Sequence, residues 1–368
     1  MTCNLCGSEQ QERLDLGEPL VRTGAYVQCP TCGLIYHSLP DSIDRMRDFY
    51  HSEYAGEYSA SEVISRELAL ARINRLGKAR ALASLSPALE IGCANGEFIH
   101  ELAGRDVEVS GVEPSRAMSE HARDHFGLEV VTGLYEDQPE KAAHYRLIAM
   151  FHVLEHVVDP TLTLQRIHRE LRPGGLLFIE VPTLGDCQLS MVFKPIHPTV
   201  FVRETLEAML AKNGFESLWI DEKGYHLQVI ARPMEGQMPV TWPDPVSIRS
   251  RIKRYLATRQ NVMDRIVSTL QALVGQKDGA IYGAGLNTLD LDNLFPLMQL
   301  DLEAVYDADP AKWGKQVLGL EICPPSELEA WHGSYLIISS YAFQEEILEQ
   351  LAHLEKRGVR LVTLYEKS

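Results

Sequence analysis

Four of the seven cysteines stand in two pairs, Cys3 with Cys6 and Cys29 with Cys32, separated by 22 residues. Each pair has two residues between its thiols, so both sulfurs can reach one ion. A glycine, Gly7 or Gly33, follows each pair and lets the chain turn until backbone amides face the sulfurs. Four thiolates so placed make a tetrahedral set, the geometry of structural zinc; with four protein ligands no position stays open for chemistry. A redox dithiol is the competing reading, but it asks for one pair and not two. The bound metal is expected to stabilise a module too small to hold together by burial alone. Residues 26–28 and 34–36 read as the short strands of a ribbon around it.

A second constellation begins at Glu90. The apolar run 88–91 enters a turn, Gly92-Cys93-Ala94-Asn95-Gly96, and a helix is expected from Glu97. Gly92 and Gly96 remove side chains where backbone must come close to a ligand. The next strand, 107–112, ends at Glu113-Pro114, 17 residues past Gly96. There an acid can accept hydrogen bonds from ribose hydroxyls. The spacing is not the Gly-x-Gly-x-x-Gly that cradles a pyrophosphate. Further on, the strand 145–151 runs into Phe151 and His152, and a Leu154-Glu155-His156 run precedes Asp159-Pro160. A metal pair is one reading of Glu155 and His156; a loop held by hydrogen bonds is the favoured one.

These groups need a frame. A chain of 368 residues exceeds one ordinary core. We expect a zinc-binding module over 1–40, a helical linker over 41–87 with an amphipathic helix across 61–85, and a nucleoside-binding α/β domain over 88–235. A linker with helices follows over 236–277, then a smaller α/β domain over 278–368. The fold class is α/β: a zinc ribbon, a central doubly wound sheet, and a Rossmann-like C-terminal domain. Residues 171–175 read as a helix end and a glycine turn before the next strand.

Taken together, Glu90-x-Gly92-x-x-x-Gly96, Glu113, Leu154-Glu155-His156 with Asp159-Pro160, and Leu171-Arg172-Pro173-Gly174-Gly175 resemble the class I methyltransferase family over residues 86–232. The resemblance implies that S-adenosylmethionine is the cofactor. Glu90, Gly92, Cys93, Ala94 and Gly96 would lie around its methionine part, Glu113 and Pro114 at its ribose, and Phe151 and His152 beside it. Many members carry an acid where Arg146 stands, a peripheral difference.

With the zinc module and the last domain added, the chain resembles sugar C-methyltransferases that act on nucleotide-linked deoxysugars. Those enzymes place a Glu-His pair before an aromatic-Ser segment. Here His197 matches the histidine and Ile196 stands in place of the glutamate. Tyr58 falls in a stretch resembling the tyrosine-rich acceptor segment of that family. His197 and Tyr58 are the catalytic candidates, His197 as general base or as a packing residue. The missing glutamate leaves a hydroxyl acceptor as compatible as a carbon one. The acceptor expected is a small molecule, a nucleotide-linked sugar or glycan precursor. The alternatives are an O-methyltransferase of secondary metabolism and a scaffold without activity. In the last domain, Gly283-Ala284-Gly285 opens a helix that either takes a phosphate or only packs.

A net charge of −16 disfavours nucleic acid. No apolar run approaches the roughly 20 residues of a membrane span. The first residues lack the pattern of a signal peptide, so a cytoplasmic monomer or homodimer is expected.

Overall fold

The computed structural model describes residues 2–16, 26–38, 66–185, 192–194, 196–236, 239–341 and 343–365. The chain divides into two compact units, one running to Lys253 and the other from Arg254 onward. No helix among the described residues is long and apolar enough to cross a membrane.

The first unit is built on a seven-stranded sheet. Its strands are β4 (Ala88–Ile91), β5 (Val109–Glu113), β6 (Val130–Thr132), β7 (Tyr145–Phe151), β8 (Leu171–Pro182), β10 (Phe215–Lys223) and β11 (His226–Pro233). The order across the sheet is β10-β11-β8-β7-β4-β5-β6. β4, β5, β6, β7 and β8 are parallel, while β11 runs antiparallel to both β8 and β10. All four residues of β4 are buried, as expected of a parallel strand covered on both faces. From β4 the chain moves first one way, to β5 and β6, and then the other, to β7 and β8. That reversal is the switch point at which open α/β sheets bind ligands, at the carboxyl ends of the strands.

One face of the sheet packs against helix α1 (Arg66–Ala79), which buries Ala69, Arg72, Ile73 and Leu76 on a single stripe. The spacing is that of an amphipathic helix, but the second member of the stripe, Arg72, is charged. The helix stops at Ala79, short of the expected residue 85; Leu82–Leu85 forms a separate 3-10 turn that buries Leu85. At 171–175 the helix Pro160–Glu170 ends with Leu171 as its C-cap. The chain is already extended at Leu171, and Gly174, with φ of +72°, absorbs a register shift between Tyr145 and Leu147 of the neighbouring strand.

The N-terminal strands β1 (Glu12–Arg13), β2 (Tyr26–Gln28) and β3 (Ile35–His37) form a second sheet. Its fourth strand is β9 (Thr199–Val200), paired to β3 through Ile35 with Val200 and Tyr36 with Thr199. Leu5, Val27, Leu34 and Tyr36 are buried in the same apolar cluster as Leu89, Ile148 and Ile179 of the large sheet. The cysteine module therefore does bury side chains, in a core it shares.

The second unit holds a six-stranded sheet of order β14-β15-β13-β12-β16-β17, in which β14 is Gln316–Val317, β15 Leu320–Cys323 and β17 Arg360–Thr363. Within it β12 (Gly279–Tyr282) is parallel to β13 (Leu302–Tyr306) and to β16 (Tyr335–Ile338). Helix α7 (Leu286–Leu294) follows the Gly283 turn.

Candidate active site

The glycine turn after β4 is held by backbone conformation and by one carboxylate. Gly92 and Gly96 have φ of +69° and +85°, and Ala94 has φ of +47°. A methyl group on Gly96 would lie 2.8 Å from both Ala122 and Leu128. One on Gly92 would strike Val153, so the turn is pressed against the loop that follows β7. Glu113 is buried at the end of β5. Its Oε2 accepts the N–H of Ala94 at 2.9 Å and its Oε1 the N–H of Ser115 at 2.7 Å. The acid read as a ribose ligand is thus also the clamp that fixes the turn, and each oxygen keeps a lone pair for a further donor. Cys93 is buried and Pro114 half-buried beside it.

Burial pushes the Glu113 carboxyl up to about 7, against the pull of its two N–H donors. Hydroxyl donors favour the ionised form. Below about 7 the free site holds a proton that the bound site releases, so ligand affinity rises with pH through that value. Calorimetric titration of S-adenosylhomocysteine should show this rise, and Glu113→Gln should flatten it. An unmodified protein whose affinity is level across neutral pH would count against Glu113 as a ligand.

Glu90 and Arg72 are the unusual pair. Both are buried, at 0% and 2% exposure, where charged groups are rare unless paired. Among the described residues, neither carboxylate oxygen of Glu90 has a hydrogen-bond partner, and Nη1 of Arg72 has none. Burial raises the Glu90 carboxyl well above its usual range, opposed by the Arg72 guanidinium. Arg72 lies over the Phe151 ring at 4.0 Å and donates from Nε to Glu180 Oε2 at 3.0 Å. Phe151 and Glu180 are register partners on β7 and β8. An anion beside Arg72 and a cation beside Glu90 would satisfy the unpaired atoms. The α-carboxylate and α-ammonium of a methionine moiety are such a pair.

Glu180 gathers four nitrogen neighbours. Besides Arg72, Gln228 donates to Oε2 at 2.8 Å, and Oε1 lies 3.2 Å from His152 Nε2 and 2.7 Å from His226 Nδ1. Burial opposes its ionisation, yet the two imidazoles and Arg72 hold the carboxyl well below its usual range. His152, at φ of +55°, is driven the other way. Burial lowers it, but Glu155 and Glu180 outweigh that and raise it to about 9. It lies between two acids, Glu155 at 3.4 Å and Glu180 at 3.2 Å, one residue before the Val153 that presses on Gly92.

His197 lies on a different wall. Its Nδ1 donates to the Val192 carbonyl at 2.7 Å, and its ring stands edge-on to His156 at 4.7 Å. His156 in turn donates from Nδ1 to the Ile196 carbonyl at 2.8 Å, so it links two loops. Burial, with His156 and Lys194 nearby, holds His197 well below its usual range. Tyr26 of the N-terminal sheet donates to the carbonyls of Lys194 at 2.7 Å and His197 at 2.8 Å. Tyr58 lies outside the described residues.

The sulfurs of Cys3, Cys6, Cys29 and Cys32 all lie within 4.8 Å of one another. The pairs Cys3–Cys32 and Cys6–Cys29 are 3.5 and 3.4 Å apart. A tetrahedral zinc with bonds of ~2.3 Å asks for sulfur separations of about 3.8 Å, which small side-chain shifts supply. Gly7 and Gly33, at φ of +77° and +74°, make the expected turns.

Sequence reading missed Arg72, Glu180, His226 and Gln228. Two of them left a trace: Arg72 interrupts an apolar helical stripe, and Glu180 is a lone acid in the apolar run 176–181. His226 and Gln228 left none.

Residues 61–218 match the family model described as a methyltransferase domain, and residues 249–365 the one described as a C-methyltransferase C-terminal domain. The ubiquinone biosynthesis O-methyltransferase of Caulobacter vibrioides is 30% identical over 120 residues, 31% of this chain and 48% of that protein. The Marinobacter nauticus enzyme of the same name is 30% identical over 118 residues, covering 29% and 48%. The human mitochondrial one is 25% identical over 210 residues, covering 50% and 56%. The chain thus spans about half the length of the curated relatives it matches. The strand order with its reversed β11, the glycine turn clamped by Glu113, and the match over 61–218 together give the first unit a class I methyltransferase-like fold.

Proposed function

We propose that this chain transfers the methyl group of S-adenosylmethionine to a small-molecule acceptor. The observation that carries the reading is the buried, unpartnered Glu90 carboxylate beside a glycine turn clamped by Glu113. Leaving both oxygens of a buried acid unpaired costs several kcal/mol unless a cation arrives, and this cofactor brings two, an ammonium and a sulfonium. Glu90 would hold the positive end, Arg72 the carboxylate and Glu113 the ribose hydroxyls. The backbone of Gly92, Cys93, Ala94 and Gly96 would wrap the methionine part, with Pro114, Phe151 and His152 at its borders.

Methyl transfer is an in-line displacement: the acceptor atom forms a bond to the methyl carbon as the sulfonium bond breaks. The protein aligns the two and takes the acceptor's proton. His197 suits that proton. Its Nδ1–H is committed to a carbonyl, which leaves Nε2 with the lone pair. Its lowered affinity for protons keeps it in the basic form at neutral pH. Tyr58 is the second residue proposed for the acceptor side.

The curated relatives bear the name of ubiquinone O-methyltransferases, which supports a hydroxyl acceptor over a nucleotide-linked sugar. A carbon acceptor is the second reading, because the match over 249–365 is to a domain described for C-methyltransferases. We also assign zinc to the four cysteines, as a structural ion.

S-adenosylhomocysteine should raise the melting temperature; no shift at saturating concentration would end the reading. His197→Ala should cost at least ~100-fold in turnover, with S-adenosylhomocysteine affinity unchanged within about twofold. Full turnover in that variant would remove His197 as the base.

A further inference from the structure

We infer that His152, Glu180 and His226 form a three-ligand site for a divalent first-row transition-metal ion, separate from the cysteine cluster. Their ligand atoms lie within 4.8 Å of one another. They come from three adjacent strands at one edge of the sheet: the end of β7, the end of β8 and the start of the antiparallel β11. Glu180 Oε1 is 3.2 Å from His152 Nε2 and 2.7 Å from His226 Nδ1. Ligands at ~2.1 Å ask for separations of about 3.0 Å at right angles and about 3.4 Å in a tetrahedral set, within small side-chain shifts of both distances.

Three further features distinguish the cluster from an ordinary hydrogen-bonded one. His226 Nδ1 is buried and close to the carboxylate, yet makes no aligned hydrogen bond; the two lone pairs converge on shared space. Glu180 Oε2 is fixed from behind by Arg72 and Gln228, leaving Oε1 to face the imidazoles, as carboxylate ligands are usually held. Burial is graded across the site. The Glu180 side chain is 1% exposed, while His152 and His226 are 33% and 31% exposed. An ion there would have protein on one side and open positions on the other. Two histidines and one carboxylate suit zinc or iron(II), not magnesium or calcium.

The site does not require the methyl-transfer reading, since metal is counted without cofactor or acceptor. Within that reading, the open positions lie beside the glycine turn and would take an acceptor oxygen, lowering its proton affinity.

The test is equilibrium dialysis of the full chain against zinc sulfate, followed by metal analysis. Two equivalents are expected, one on the cysteines and one here. His226→Ala and His152→Gln should each retain one, with cooperative melting as the check that they fold. Gln228→Leu should weaken the second equivalent by ~10-fold or more. His121 and His125 stack four residues apart on one helix at 5.0 Å and make the obvious adventitious site. His121→Ala/His125→Ala should therefore keep both equivalents. A single equivalent in the unmodified protein, or a second one kept in His226→Ala, whether on His121 and His125 or on the Glu155, His156 and His197 group, overturns the assignment.

Discussion

Glu180→Ala should lower the free energy of unfolding by about 3–5 kcal/mol, the cost of breaking a buried ion pair by removing one partner. The Arg72 side chain is 1% exposed and cannot reach water without pulling α1 from the sheet. Losing Glu180 strips its Nε of an acceptor while Nη1 already has none. What remains is an uncompensated guanidinium against the Phe151 ring. The sign with pH follows from the direction of the Glu180 shift. Its folded carboxyl is held below the unfolded value despite burial. Its contribution is therefore full above the unfolded value near 4.5 and fades as pH falls further. Urea denaturation at neutral pH measures the loss as a shifted midpoint at constant slope. Arg72→Met/Glu180→Leu, which removes both charges, should recover most of it. Equal stability of Glu180→Ala and the unmodified protein would mean that the pair is not buried as described.

Removal of the metal proposed for the four cysteines should have the second large effect, and it should reach beyond the module. Cys29→Ser should release the ion and lower the melting temperature, because binding energy at such a site is folding energy. Turnover should fall as well, while the glycine turn, clamped by Glu113, should keep its affinity for S-adenosylhomocysteine. The connection is structural: β9 is a strand of the ribbon sheet, and Tyr26 holds the carbonyls of Lys194 and His197. Ordering the ribbon orders the loop that carries the proposed base. Tyr26→Phe separates the two consequences. It should keep the zinc and lose about tenfold in turnover, since it deletes the one hydroxyl proton shared between two carbonyls, worth about 1–1.5 kcal/mol. Fewer than one zinc per chain in the unmodified protein would remove the premise. Full turnover in Cys29→Ser would sever the ribbon from the site.

The residues with a fixed local grammar were readable without coordinates. Paired cysteines followed by glycine, a strand entering a glycine turn, and an acid at the end of the next strand each express a constraint confined to a few neighbours. Cys3, Cys6, Cys29, Cys32, Gly92, Gly96 and Glu113 accordingly fall where their spacing placed them. The alternation of β strands and helices likewise carried the α/β class.

Three things depended on tertiary structure. The joining of Thr199–Val200 to Ile35–His37 is a pairing across more than 160 residues, and nothing local encodes a partner so distant. Arg72, Glu90 and Glu180 look like unrelated charges until the sheet's pleat puts both acids on one face and α1 lays its stripe across it. His152 reads as a loop histidine and His226 as the first residue of an edge hairpin; only the antiparallel return of β11 sets both rings over one carboxylate. Local sequence can specify which atoms are available for chemistry, because type and turn geometry are short-range properties. Which of them meet is decided by packing, and here packing brought together the charges that composition alone would have left on the surface.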